Sequence, residues 1–174
     1  MKKLLIYLTV IGFINLGFSQ IHQNYVDNYQ LASVVINAPN YTYLQKVQDF
    51  NTPVRVKKLE NQVASYNIKS DPIYDLAFED KYKVIFEETK SKIVVTYDKH
   101  GNILTSFEKF EDVRLPQDIY ASIANDYPGW AIVNDTYIVK YYQNKEEVRK
   151  IYKIEISKDD TTKNLRINSL GLIE

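Results

Sequence analysis

Cysteine is absent from this 174-residue sequence, and histidine, tryptophan and glycine are scarce, with two, one and five copies. Without cysteine, a disulfide framework, a catalytic thiolate and a zinc–thiolate site are all excluded. Gly101, Gly129 and Gly171 lie 28 and 42 residues apart, which is too wide for a phosphate-binding loop. His22 and His100 are also far apart, and no Gly-x-Ser-x-Gly nucleophile elbow is present. We therefore expect a protein that is not an enzyme and that binds no cofactor or metal.

Neither sign of charge is in excess, since 22 basic residues balance 22 acidic ones. This balance gives no reason to expect nucleic acid or an anionic membrane as a partner. The first twenty residues, MKKLLIYLTVIGFINLGFSQ, combine two lysines, an apolar stretch and small residues at Gly17 and Ser19. This pattern predicts a signal peptide over residues 1–19 and a periplasmic or secreted protein. The alternative is a single membrane anchor, but the apolar stretch is shorter than the ~20 residues that span a bilayer.

The first part of the remaining chain has weak periodicity and is followed by one clear helix. Residues 20–51 are polar, and we expect a polar leader there with a short strand at 31–36. A helix is predicted to begin with Thr52 as its N-cap and Pro53 in the first helical position. Its apolar face is formed by Val56, Leu59, Val63 and Tyr66, and its polar side by Lys57, Lys58, Glu60 and Asn61.

After residue 70 the apolar period changes to two, which is typical of strands. Tyr82, Val84 and Phe86 alternate with Lys83, Ile85 and Glu87, and the polar stretches EETKSK and DKHGN mark turns. A strand at 103–110 and a second helix from Pro116 to Pro128-Gly129 are predicted next. Further strands are predicted at 130–142, 148–157 and 164–168.

Two stretches resemble each other at a constant offset of 70 residues. They read YKVIFEETKSKIVVTYDKHGNIL at 82–104 and YKIEISKDDTTKNLRINSLGLIE at 152–174. Each follows a helix that opens with proline, and this shared order indicates a tandem repeat rather than two chance hairpins. The sequence therefore predicts an α+β fold of two similar units, each with one helix packed on a small antiparallel sheet of three or four strands. We assign the units to residues 52–110 and 111–174.

The segment from Asp98 to Asn102 places His100 between an aspartate and an asparagine, which raises the question of a metal loop. A helix-loop-helix calcium loop needs glycine at its sixth position and an acid at its twelfth, and this segment has neither. A structural turn fits better, with Asp98 accepting hydrogen bonds from backbone N–H groups and Gly101 supplying positive φ. Asn168 and Gly171 hold the same positions in the second copy. We therefore predict structural turns at both places.

The motifs Tyr97-Asp98-Lys99-His100-Gly101, Leu115-Pro116 and Tyr127-Pro128-Gly129, followed by a final hairpin, resemble a known family. Over residues 80–174 the chain is similar to the PepSY-like, or β-lactamase-inhibitor-like, domains of exported Bacteroidetes proteins. The resemblance implies an α+β fold in tandem units, an envelope location and no established catalytic activity. No inhibitor contact motif matches residue by residue, so inhibition does not carry over.

Tyrosine is abundant, with 15 copies, and a stiff ring with a polar tip is favoured at binding surfaces. The sequence therefore predicts a non-catalytic binding module for an envelope protein or a peptide, with inhibition as one form of that role. The candidate contact residues are Trp130, Tyr137, Tyr141 and Tyr142. For Trp130, packing of the helix end onto the sheet is the alternative.

Two other functions stay open at this point. One is a structural or stress-related envelope protein without a specific ligand. The other is a hydrolase that uses paired carboxylates, as glycosidases do. The acidic pairs available for it are Glu87-Glu88, Glu111-Asp112, Glu146-Glu147 and Asp159-Asp160.

Overall fold

The computed structural model describes residues 39–75 and 80–174, and within them it contains three α-helices and six strands. The helices are α1 (Tyr41–Val47), α2 (Val54–Ser65) and α3 (Gln117–Asp126), and a short 3-10 turn covers Ile68–Ser70. The strands are β1 (Lys81–Glu88), β2 (Ser91–Asp98), β3 (Ile103–Glu111), β4 (Ala131–Tyr142), β5 (Arg149–Lys158) and β6 (Thr161–Asn168).

All six strands form one antiparallel sheet in the order β1-β2-β3-β4-β5-β6. The expected fold of two units, each with its own small sheet, is therefore wrong. The two halves are joined by β3 and β4, which pair from Thr105 opposite Tyr142 to Glu111 opposite Thr136. The physical reason is the free edge that β3 would leave in a separate unit, because unpaired backbone groups along a strand are satisfied by a neighbouring strand. Between these two strands the chain passes through α3 instead of a tight hairpin.

One face of the sheet carries the core. The period-two alternation places Ile93, Val95 and Tyr97 of β2 on this face, and each is fully buried. The same cluster includes Val56, Leu59 and Val63 of α2, Ile119 and Ile123 of α3, and Tyr152, Ile154 and Ile156 of β5. In residues 39–75 and 80–174 the helices cover only this face, so within that part of the chain the opposite face of the sheet is left open.

The helix predictions hold in type and need correction at their ends. The helix α2 begins at Val54, and the hydroxyl of Thr52 bonds with Asp49 instead of capping the helix. The second predicted helix is confirmed as α3, with Pro116 at its N-cap and Gly129, at φ +80°, just beyond its end. The helix α1 lies in the segment expected to be a polar leader, where it buries Tyr43 and Val47.

Some predictions fall outside the described residues. These are the signal peptide at 1–19 and the short strand at 31–36, and His22 lies in the same part of the chain.

The two similar stretches of sequence form two hairpins with the same register. In the first, Tyr82 lies opposite Tyr97, and in the second, 70 residues later, Tyr152 lies opposite Ile167. The similarity continues past the turn, because Tyr97 pairs with Ile103 as Ile167 bridges to Ile173. Each of the two similar stretches is thus a hairpin at one edge of a single sheet.

Candidate binding surface

The turn after β2 is held by the Asp98 carboxylate. Its Oδ1 accepts hydrogen bonds from the backbone N–H groups of His100 and Asn102, both at 2.8 Å, and its Oδ2 accepts one from the Asn102 side chain. Gly101 has φ +91°. Partial burial acts to raise the pKa of Asp98, but these hydrogen bonds outweigh it, so the pKa lies below its ordinary value. The His100 side chain is exposed, and its backbone N–H is the group that donates to Asp98.

The turn after β6 repeats this geometry with an amide. Asn168 Oδ1 accepts hydrogen bonds from the N–H groups of Leu170 and Leu172, at 2.9 and 3.1 Å, and Gly171 has φ +79°. In both turns the glycine carbonyl also accepts a hydrogen bond from a distant side chain. Asn40 bonds to Gly101 and Ser122 of α3 bonds to Gly171. The two turns thus dock the helical layer against the ends of the hairpins.

The four aromatic residues predicted as partner contacts separate into two pairs. Tyr137 and Tyr141 lie on the covered face of β4 and are 1% and 2% exposed, so the expectation that their rings face solvent is wrong. Tyr137 stacks on Tyr152 with ring centres 4.5 Å apart, and burial raises its pKa well above the ordinary value. The reason is the strand period, which sends residues 137, 139 and 141 to the same side.

Tyr142 and Trp130 keep part of their rings accessible. Tyr142 points to the open face, is 41% exposed, and has the ammonium of Lys145 5.0 Å from its ring centre. Trp130 is half-buried against Tyr127, with the ammonium of Lys163 5.0 Å from its ring centre. The contact with Tyr127 fits the packing alternative for Trp130.

The open face of the sheet carries a row of side chains that crosses five strands. Ile85 pairs with Val94, Val94 with Phe107, Phe107 with Lys140, and Lys140 with Arg149. Ile85 and Phe107 are 54% and 45% exposed. The ammonium of Lys140 lies 5.3 Å from the centre of the Phe107 ring, within the range of a cation–π contact. An apolar strip therefore runs across β1 to β3 and meets basic side chains on β4 and β5.

Basic side chains outnumber acidic ones on this face. The basic ones are Lys81, Lys83, Lys92, Lys109, Lys140, Arg149, Lys153 and Arg166, and the acidic ones are Glu87, Asp98, Glu111 and Glu155. Lys92 and Lys109 are neutralised by Glu87 and Glu111, at 3.3 and 2.6 Å. In residues 39–75 and 80–174, Lys83, Lys140 and Lys153 form no ion pair, so the strip borders free positive charge.

The four acidic pairs lie at turns and strand ends. Glu146-Glu147 is in the exposed connection between β4 and β5, and Asp159-Asp160 is in the turn between β5 and β6. Glu87-Glu88 and Glu111-Asp112 do meet at one corner of the sheet. There Lys90 pairs with Asp112, and the ion pairs of Lys92 and Lys109 interleave with the carboxylates. The arrangement neutralises these carboxylates and gives the hydrolase hypothesis no support.

Sequence reasoning overlooked Ile85, Phe107 and Lys140 as surface residues. A signal for Phe107 was present, because Phe107 and Phe110 are three positions apart and cannot lie on the same side of a strand. Phe110 is fully buried, which leaves Phe107 on the open face. Ile85 lies with Lys83 and Glu87 on the polar side of the predicted strand, and this position also indicates the open face.

Comparisons with known proteins give one distant similarity. No family model and no curated protein matches the chain. Among solved structures, the chain is similar to a DUF2874 family protein from Bacteroides ovatus ATCC 8483, with 17% identity over 55% of this chain and 67% of that one, and a TM-score of 0.33. This level of similarity does not establish a shared fold. The PepSY-like resemblance is tested by none of these comparisons and stays a prediction. Among the described residues, no helix is long and apolar enough to cross a membrane.

Proposed function

We propose that this protein is an exported, non-catalytic binding module, and that the open face of its sheet receives an acidic protein or peptide. The observation that carries the proposal is the strip of Ile85, Val94 and Phe107 beside the free charges of Lys83 and Lys140. Phe107 is 45% exposed, so a partner that buries the rest of its ring gains about 1 kcal/mol, roughly half the value for a fully exposed Phe. Lysines around such an anchor favour an acidic partner and raise its rate of association.

Export is supported by the sequence of the first nineteen residues alone. The binding role is supported by the exposed strip. A stress-related envelope protein without a specific ligand is the competing hypothesis, and it needs no exposed anchor. A contact at Phe107 therefore distinguishes the two functions.

Site-specific photo-cross-linking in the native host is a direct test. A photoreactive phenylalanine analogue is introduced at Phe107, and the matched control carries it at Phe50, which is 97% exposed in the loop between α1 and α2. We expect one discrete cross-linked species from Phe107 and none from Phe50. Combining the analogue with Lys140→Glu should abolish the adduct, because it replaces the cation beside the anchor with a repelling charge.

The cross-linking result at Phe107 decides whether the open face is a specific binding site. If Phe107 gives no adduct in cells that contain the folded protein, or if both positions capture the same set of proteins, the open face is not a specific binding site. Mass spectrometry of the Phe107 adduct then tests the acidic character of the partner, because a basic partner would contradict the charge argument.

A further inference from the structure

The covered side of the sheet contains two glutamates that the proposed binding function does not use. Glu60 comes from α2 and Glu108 from β3, and both are 0% exposed. The hydroxyl groups of Tyr43 and Ser106 donate hydrogen bonds to Glu108 Oε1, at 2.8 and 2.6 Å. Among the described residues, Glu108 Oε2 and both carboxyl oxygens of Glu60 lack a hydrogen bond of normal geometry. The Gln48 amide and the Glu108 carboxyl group are close enough to Glu60 to act on its pKa, which Gln48 lowers and Glu108 raises. Two carboxyl groups therefore meet at the junction of α1, α2 and the sheet, away from solvent.

The groups around this pair supply little compensating positive charge. Lys150 of β5 is the cation whose charge acts on both glutamates, and its ammonium pairs with the carboxylate of Asp49. Tyr43 of α1, Asp49 of the α1–α2 loop, Tyr137 and Tyr141 of β4, and Tyr152 of β5 also surround the pair, and they are neutral or negative. Lys46 of α1 is a cation on this side, and its ammonium donates to the Lys145 carbonyl and lies 5.9 Å from the centre of the Tyr141 ring. The cation that acts on both carboxyl groups is therefore Lys150, which is already paired with Asp49.

The pair is suited to hold one proton. Burial raises the pKa of both carboxyl groups, and the charge of Glu108 raises the pKa of Glu60 further. Two carboxyl groups that share a buried site do not both ionise in the ordinary range. Because Glu108 already accepts two hydrogen bonds, which favour its ionised form, the remaining proton resides on Glu60.

We propose that the Glu60–Glu108 pair is a proton-dependent latch that holds α1 and α2 on the sheet. With one proton between them, the two carboxyl groups remain buried under the helices. When that proton is lost, two carboxylates repel each other in a place of low polarity, and movement of α2 away from β3 returns Glu60 to water. The helix α1 follows, because the Tyr43 hydroxyl bonds to the same pair. The sheet keeps its five strand pairings, since none of them includes Glu60.

The direction of the pH effect follows from the raised pKa of Glu60. In the released state this carboxyl group is solvated and has the ordinary pKa of a glutamate, about 4.3. Docking of the helices is therefore strongest below that pKa and weakens as pH rises through the raised value. The loss reaches at most about tenfold in the docking equilibrium per pH unit for one proton.

Amide hydrogen exchange of the full chain between pH 5 and 9, corrected for the intrinsic rate at each pH, is the test. We expect protection in residues 41–65 to fall as pH rises, by up to about tenfold per unit. Protection in β5 and β6 should stay constant over the same range. In Glu60→Gln the amide keeps the shape of the side chain and cannot ionise, so the pH dependence of 41–65 should disappear. The matched control is Glu147→Gln, at an exposed site, which should behave like the unmodified protein.

Two results would overturn the latch. One is a pH dependence in Glu60→Gln equal to that of the unmodified protein. The other is a parallel loss of protection in the helices and in β5 and β6, which would show global destabilisation instead of release of α1 and α2. A measurement without any variant completes the test. Carbon-13 NMR of the glutamate carboxyl groups must show a titration above the ordinary range of glutamate. A spectrum in which every glutamate titrates near its ordinary pKa also rejects the proposal.

Discussion

At the scale of single residues, Asp98 and Asn168 stabilise equivalent turns, one with a carboxylate and the other with an amide. Each side-chain oxygen accepts two backbone N–H groups of its turn, at closely similar distances. A carboxylate is therefore not required by the geometry of the turn. The position of His100, which drew attention in the sequence, is taken by exposed Leu170 in the second turn.

This equivalence predicts the effect of substitutions at Asp98. Asp98→Asn should change the free energy of unfolding by less than about 0.5 kcal/mol, whereas Asp98→Ala should lower it by about 1 kcal/mol, because it removes the acceptor. Urea unfolding measured at neutral pH checks both values. An equal loss in the two variants would contradict the assignment of a neutral acceptor role.

The same variants give a pH signature. Because hydrogen bonds hold the pKa of Asp98 below its ordinary value, the carboxylate stabilises the turn above the ordinary range. That stabilisation is lost as pH falls through the lowered pKa. The difference in stability between the unmodified protein and Asp98→Asn should therefore shrink in acid.

At the scale of secondary-structure elements, Asn40 joins α1 to the turn between β2 and β3. It is 6% exposed, its Nδ2 donates to the Gly101 carbonyl at 3.0 Å, and its Oδ1 accepts the Ile103 N–H at 2.7 Å. In the sequence this asparagine follows Pro39 in the polar segment 20–51. Its hydrogen-bond partners lie more than sixty positions away, so no local pattern in the sequence predicts them.

Asn40→Ala should destabilise the protein by about 1–3 kcal/mol, because it leaves the buried N–H of Ile103 without an acceptor. The matched control is Asn134→Ala, at an exposed position of β4, which should change stability by less than about 0.5 kcal/mol. Thermal or urea unfolding of the two variants measures the difference. Similar values for both would mean that the Asn40 contacts do not stabilise the fold.

The helix α2 presents a second case at this scale. Its apolar face was predicted from Val56, Leu59 and Val63, all of which are buried. Glu60 was assigned to the polar side, and this assignment is wrong. The spacing Val56, Glu60, Val63 places the glutamate on the buried face by helical geometry alone. The prediction followed the charge of Glu60 instead of its position in the helix. Its contact with Glu108 explains why a carboxyl group lies on the buried face.

At the scale of the whole molecule, the pairing of β3 with β4 decides the architecture. Phe110 of β3 and Tyr137 of β4 lie opposite each other, are buried, and stack with ring centres 6.2 Å apart. One core then runs under both hairpins. Residues 52–110 and 111–174 consequently share strands and core in one sheet.

At about pH 5, where the helices stay docked, a shared core predicts one cooperative unfolding transition for residues 39–75 and 80–174. Fluorescence of Trp130 reports on the second half, and NMR signals of β1 and β2 report on the first; their urea midpoints should coincide. Phe110→Ala should lower the free energy of unfolding by about 3–5 kcal/mol, because it opens a cavity between β3 and β4. Both urea midpoints should fall in parallel. Two separated transitions, or a loss confined to one probe, would contradict the single sheet.

Local chemistry was enough to predict α2 and α3, the strand segments, the 70-residue register of the hairpins and the Asx-Gly turns. These features depend on neighbours within a few residues, where the spacing of apolar side chains and the backbone freedom of glycine act directly. The joining of the two halves, the choice of the covered face that buries Tyr137 and Tyr141, and the pairing that brings Ile85 and Phe107 into one strip were decided by the tertiary structure. Each depends on which strand lies beside β3 and on which face the helices cover, and those choices are made by packing between residues that are distant in the sequence.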